Sequence, residues 1–68
     1  MNNKQKQVLV LTATIVQKMI MIERHQGGVF REINPELEKE IVEAVDSQNL
    51  SKLHATVEKM DELLQDRH

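Results

Sequence analysis

The stretch VLVLTATIVQKMIMI, residues 8–22, decides the fold of this chain, because eleven of its fifteen residues are apolar. At about 100° per residue in an α-helix, these side chains form two adjacent stripes. The first stripe consists of Val8, Leu11, Ile15, Met19 and Ile22, and the second consists of Leu9, Ala13, Val16 and Ile20. One neighbouring helix cannot cover both stripes, so we expect this helix to be central in its own fold or shared with a partner.

Size and composition favour one small domain that needs help to be stable. A chain of 68 residues forms one domain at most, and a domain this small buries only about 60% of the surface of its unfolded chain. A hydrophobic content of 40% with 29% charged residues is typical of a globular protein and too apolar for a disordered one. Since the chain has no cysteine, disulfides are excluded, and oligomerisation is the favoured aid.

Local signals at the helix ends predict three helices, over about residues 4–26, 35–46 and 50–65. Gly27-Gly28 supplies a left-handed end to the first helix, Asn34-Pro35 opens the second, and Asn49 caps the third. The third helix carries an apolar seam at Leu50, Leu53, Val57, Met60 and Leu64. We expect an all-α fold in which the long first helix packs on a hairpin of the other two, with Phe30 anchoring the connector.

The surplus apolar surface predicts a homodimeric helical bundle, because a two-fold partner presents the same patch back. An aspartate at Ile15 or at Val16 is therefore expected to unfold the chain. The residues predicted for self-association are Val8, Leu9, Leu11, Ile15, Val16, Met19, Ile20 and Ile22.

Charge is distributed unevenly along the chain. Residues 1–31 carry five Lys or Arg against one Glu, whereas residues 32–68 carry four Lys or Arg against ten Asp or Glu. The basic first helix is expected to lie along the acidic later helices, within or between subunits; alternatively, the acidic half meets a basic partner or mimics nucleic acid. The residues considered for binding another protein are Met21, Phe30, Glu36, Glu40 and Glu43.

The residues give little basis for an enzyme. The chain has no glycine-rich phosphate loop and no nucleophile beside a recognisable base. His54 and Glu58 are spaced i, i+4, but one such pair supplies only two metal ligands, and His25 and His68 have no fixed relation to it. We therefore expect no catalytic activity, no cofactor and no metal, with His54 bordering the seam of the third helix.

Nucleic acid and membranes are less favoured partners. The last predicted helix carries Glu58, Asp61, Glu62 and Asp66, which would repel phosphates. The apolar run is interrupted by Gln17 and Lys18 and is shorter than the roughly 20 residues needed to span a bilayer. We expect neither export nor membrane insertion, and a cytoplasmic location.

The function predicted from these patterns is that of a small non-enzymatic interaction module, a regulator, adaptor or inhibitor that binds another protein as a homodimer. The main alternative is a nucleic-acid-associated regulator of small plasmid or phage type, in which the basic ends of paired first helices meet phosphates. A peripheral membrane peptide, with the first helix lying on lipid, is a third class.

Overall fold

The computed structural model describes residues 2–65, which form four helices and no strand. The helices are α1 (Asn3–His25), α2 (Phe30–Ile33), α3 (Pro35–Ser47) and α4 (Leu50–Gln65). The predicted all-helical fold is confirmed, and the three predicted helices, now α1, α3 and α4, differ from the observed bounds by no more than one residue. The remaining helix, α2, was not predicted. It is a single turn within the segment that the sequence indicated as a connector.

Both ends of α1 are fixed by local hydrogen bonds. The backbone N–H of Gln5 donates to Asn2 Oδ1 at 2.8 Å, and the backbone N–H of Asn2 donates to Gln5 Oε1 at 3.1 Å, which is a reciprocal capping box. At the other end Gly27 and Gly28 have φ values of 67° and 83°, and the Gly28 N–H donates to the Glu23 carbonyl at 2.9 Å. The predicted left-handed termination is thus confirmed.

The turn after α1 is held by two side chains. Glu23 Oε1 accepts from the backbone N–H of Phe30 at 2.9 Å, at the start of α2. Asn34 precedes Pro35 as predicted, but its side chain does not cap α3. The Asn34 amide instead donates to Gln26 Oε1 at 3.0 Å, because the chain turns back toward the end of α1. Asn34 thus occupies the predicted N-cap position of α3, but its side chain makes no capping hydrogen bond and joins two turns instead.

The α3–α4 connection follows the sequence signals closely. Gln48 ends α3 in the left-handed conformation with φ of 55°, and its N–H donates to the Ala44 carbonyl at 3.1 Å. Asn49 Oδ1 accepts from the Lys52 N–H at 3.1 Å, which confirms that Asn49 caps α4.

The core is organised around α4, because this helix contacts both α1 and α3. Ion pairs reinforce both contacts, between Lys18 and Asp61 for α1 and between Glu40 and Lys59 for α3. The buried apolar residues are Ile15, Ile22, Phe30, Ile41, Ala44, Leu53 and Met60. None of the helices within residues 2–65 is both long enough and apolar enough to cross a bilayer.

Candidate docking surface

The two apolar stripes of α1 have different surroundings. The first stripe faces the core: Ile15 and Ile22 are 2% and 1% exposed, and Val8, Leu11 and Met19 pack partly buried against the same cluster. These five residues were among those predicted for self-association, which stays a prediction. Their apolar surface is taken up mainly by packing within one chain, and Ile15 and Ile22 have none left for a partner.

The second stripe faces away from the core. Leu9, Val16 and Ile20, the other three residues predicted for self-association, are exposed, as is Ala13 between them. Val10 and Met21 flank this row and are also exposed. We call the set Leu9, Val10, Ala13, Val16, Ile20 and Met21 the outer face of α1. Its five large side chains are each between 49% and 63% exposed.

The outer face is an apolar strip with charge only at its ends, and the uncharged Gln17 lies between the row and the flanking Met21. Leu9, Ala13, Val16 and Ile20 follow one another at steps of four, three and four residues, which at 1.5 Å per residue makes a row about 16 Å long. Lys6 and Arg24 lie one turn beyond its two ends. The one cation of the middle segment, Lys18, points to the opposite side of the helix, where it pairs with Asp61.

This strip is as large as the largest apolar patch of a typical monomeric protein. Single exposed apolar residues are common, but five large ones on one helix face expose on the order of 500 Å², a size at which surface patches are often functional. The inward face of α1 is equally apolar. The helix therefore separates two apolar surfaces, of which only one is covered within the chain.

The residues considered for binding another protein lie in three places: on the outer face of α1, in the core, and along one face of α3. Met21 belongs to the outer face of α1. Phe30 is 2% exposed and packs in the core, as expected of the anchor of the connector, and this burial leaves almost no surface for the predicted contact with a partner. Glu36 and Glu43 are exposed on α3, and the half-exposed Glu40 between them pairs with Lys59 of α4.

The histidines do not form a ligand cluster in the part of the chain that is described. His54 is exposed on α4, where it borders a shallow groove lined by Lys6, Gln7, Val10 and Leu11 of α1. Among residues 2–65, no group of three or more His, Asp or Glu side chains is arranged to hold a metal ion. His68 lies outside the described residues.

Other features of the surface and core were not anticipated from the pattern. Val42 and Ile33 are exposed outside the outer face of α1, whereas Thr56 is the one buried polar residue of the described chain. Thr56 lies on α4 between Leu53 and Met60 and borders a groove that Glu40 and Glu43 of α3 also line. Spacing alone would have found it, because position 56 follows Leu53 and precedes Met60 at helical steps of three and four.

Comparison of this chain with protein-family models, with curated proteins and with solved structures gives no match.

Proposed function

We propose that this chain is a protein-interaction module that acts by helix packing and pairs with a second copy of itself through the outer face of α1. The observation that carries the proposal is the exposure of Leu9, Val16 and Ile20 in one row opposite the core. Removing such a row from water is favourable by roughly 25 cal/mol per Å² of apolar surface.

The size of the strip supports a second copy as its occupant. Two outer faces of about 500 Å² each could together bury at most on the order of 1,000 Å², which reaches the lower limit for a specific protein interface when the flanking Val10 and Met21 are covered as well. A two-fold pair matches apolar to apolar along the whole strip, because both helices present the same residues. Lys6 and Arg24 then lie at the rim, where charged side chains stay in contact with water.

Such a dimer leaves α3 and its glutamates outside the interface. We propose that the dimer works as a regulator, adaptor or inhibitor by offering these outer surfaces to another protein. Binding rather than chemistry is thus the proposed activity.

The experiment compares two valines of matched exposure. Val16, on the outer face of α1, is 54% exposed, and Val42, on α3, is 52% exposed. We expect the unmodified chain to have twice its chain mass of 7.9 kDa in light scattering over a hundredfold concentration range. Val16→Glu should give the mass of a monomer, because it buries an unpaired carboxylate in the interface, and Val42→Glu should remain dimeric.

Two results would contradict the proposal. One is a monomeric mass for the unmodified chain at every concentration. The other is a dimer that stays intact in Val16→Glu and dissociates in Val42→Glu. That result would mean that the interface lies on α3. Circular dichroism of both variants checks that each remains helical.

A further inference from the structure

We infer that the two copies of α1 pair antiparallel, about a two-fold axis that passes between Ala13 and Val16. This inference rests on the proposed self-association through the outer face of α1 and adds the direction and register of the two helices. Two observations carry it: the order of large and small residues in the row, and the position of charge along α1.

The spacing of the residues in the row is the same in both directions. Its steps of four, three and four residues are symmetric about the midpoint between residues 14 and 15. An antiparallel pair therefore places Leu9 level with Ile20 of the second copy and Ala13 level with Val16 of the second copy. The two inner layers then join Ala13 with the larger Val16, and the two outer layers join Leu9 with Ile20, which is of equal size.

A parallel pair would pack the same row poorly. It would place Ala13 against Ala13 of the second copy, which leaves a hole next to a layer of two valines. Since a void in a packed interface loses contacts on every side that lines it, the Ala–Ala layer weakens the parallel arrangement. The antiparallel register removes this layer.

The charges of α1 favour the same direction. Residues 1–22 contain no acidic residue, and Lys4 and Lys6 lie near the start of the helix. A parallel pair would place the two copies of Lys6, which lies on the same side of α1 as the row, together at one end on helices about 8–10 Å apart, with no acid on either strip to offset them. An antiparallel pair separates the two sets of lysines. It also brings Lys6 level with Glu23 of the second copy, and the two helix dipoles oppose one another.

Cysteine cross-linking measures the direction directly, because the natural chain contains no cysteine. Leu9→Cys and Ile20→Cys both alter exposed positions of the outer face, so neither disturbs the core. In the antiparallel register the two copies of residue 9 are eleven residues apart along the axis, or about 16 Å. A disulfide requires a Cα–Cα distance of about 4.4–6.8 Å.

The test uses three samples under mild oxidation: Leu9→Cys alone, Ile20→Cys alone, and an equimolar mixture in which one variant carries a mass tag. We expect a covalent dimer in the mixture, containing one copy of each variant, and little from either variant alone. Ser51→Cys, exposed on α4, measures cross-linking by random collision.

Each outcome has a distinct meaning. Covalent dimers from each variant alone, with none joining the two variants, would overturn the antiparallel arrangement and leave the proposed dimer standing as a parallel pair. A dimeric mass with no cross-link above the Ser51→Cys level in any sample would overturn both the direction and the use of the outer face. A monomeric mass for the natural chain would overturn self-association itself.

Discussion

The carboxylate of Glu23 accepts a hydrogen bond from the backbone N–H of Phe30 at 2.9 Å, and this bond joins the last turn of α1 to the first turn of α2. The first N–H groups of a helix have no partner within the helix, so a side chain from outside must satisfy them or they stay with water. Here the acceptor comes from seven residues earlier in the chain. It holds the connector in the position that buries the Phe30 ring.

Glu23→Ala removes this acceptor, and we expect it to lower the free energy of unfolding by about 1–2 kcal/mol, because the Phe30 N–H loses its partner beside a buried ring. Glu23→Gln keeps a side-chain oxygen in place and should lose about half as much. Urea unfolding followed by circular dichroism measures both, since the chain has neither Trp nor Tyr. Equal losses from the two variants would mean that the charge of Glu23, and not its hydrogen bond, stabilises the turn.

Ile15 and Val16 are neighbours in sequence and lie on opposite sides of α1. The apolar pattern alone predicts that an aspartate at either position unfolds the chain. From the structure we expect different results: Ile15→Asp loses the helical circular dichroism signal, because it buries a carboxylate in the core, whereas Val16→Asp keeps that signal. Loss of the signal in both variants would mean that the monomer does not fold without its partner.

Asn34 and Asn49 both precede a helix, but only Asn49 caps one. Aspartate caps helices as well as asparagine and also suits the dipole, so Asn49→Asp should leave stability unchanged or raise it slightly. Asn34→Asp removes the amide donor that binds Gln26 Oε1, and we expect a loss of about 1 kcal/mol. Thermal unfolding of the two variants measures the difference. Equal changes in melting temperature would argue against the bridging role of Asn34.

Gln48 is the one non-glycine residue with positive φ among residues 2–65. A side chain in the left-handed conformation costs roughly 1 kcal/mol, and glycine avoids this cost. Gln48→Gly should therefore raise the free energy of unfolding by about 0.5–1 kcal/mol. Gln48→Ala retains the β-carbon and serves as the control, for which we expect no comparable gain in the urea midpoint.

The ion pair of Lys18 with Asp61 fixes α1 against α4 at a half-buried position, where the two side chains are 21% and 41% exposed. A double-mutant cycle with Lys18→Met and Asp61→Asn should give a coupling free energy of about 0.5–1 kcal/mol that falls as salt is added. The pair of Lys59 with Glu40 is more exposed, at 51% and 45%, and should give less. A coupling that is larger for the exposed pair would show that burial does not set the strength of these contacts.

The helix bounds were predictable because their signals are local. Gly27-Gly28, Asn34-Pro35 and Asn49 each act within a turn or two, and the helices they delimit differ from the prediction by at most one residue. The short helix α2 was not predictable in this way, because four residues show no period. Its start is held by Glu23, whose carboxylate bonds with Phe30 only after the chain has turned.

The apolar pattern of the sequence also could not predict which stripe of α1 faces the core. Val8, Leu11, Ile15, Met19 and Ile22 are as apolar as the outer row, and periodicity gives no preference between them. The packing of α4 on α1 determines which stripe is buried. Asp61 of α4 pairs with Lys18 on the side of α1 that faces the core. The sequence thus predicted that one surface would be in surplus, and the fold determined which one.

Because α4 is the helix that touches both α1 and α3, the core cannot close until residues 50–65 have emerged from the ribosome. The partners Lys18 and Asp61 are 43 residues apart, so α1 is made long before the helix that covers its inner side. Until α4 packs on it, α1 has no cover within the chain for either of its apolar stripes. An incompletely folded chain of this protein therefore exposes more apolar surface than the folded one, and such surface makes folding intermediates prone to aggregate.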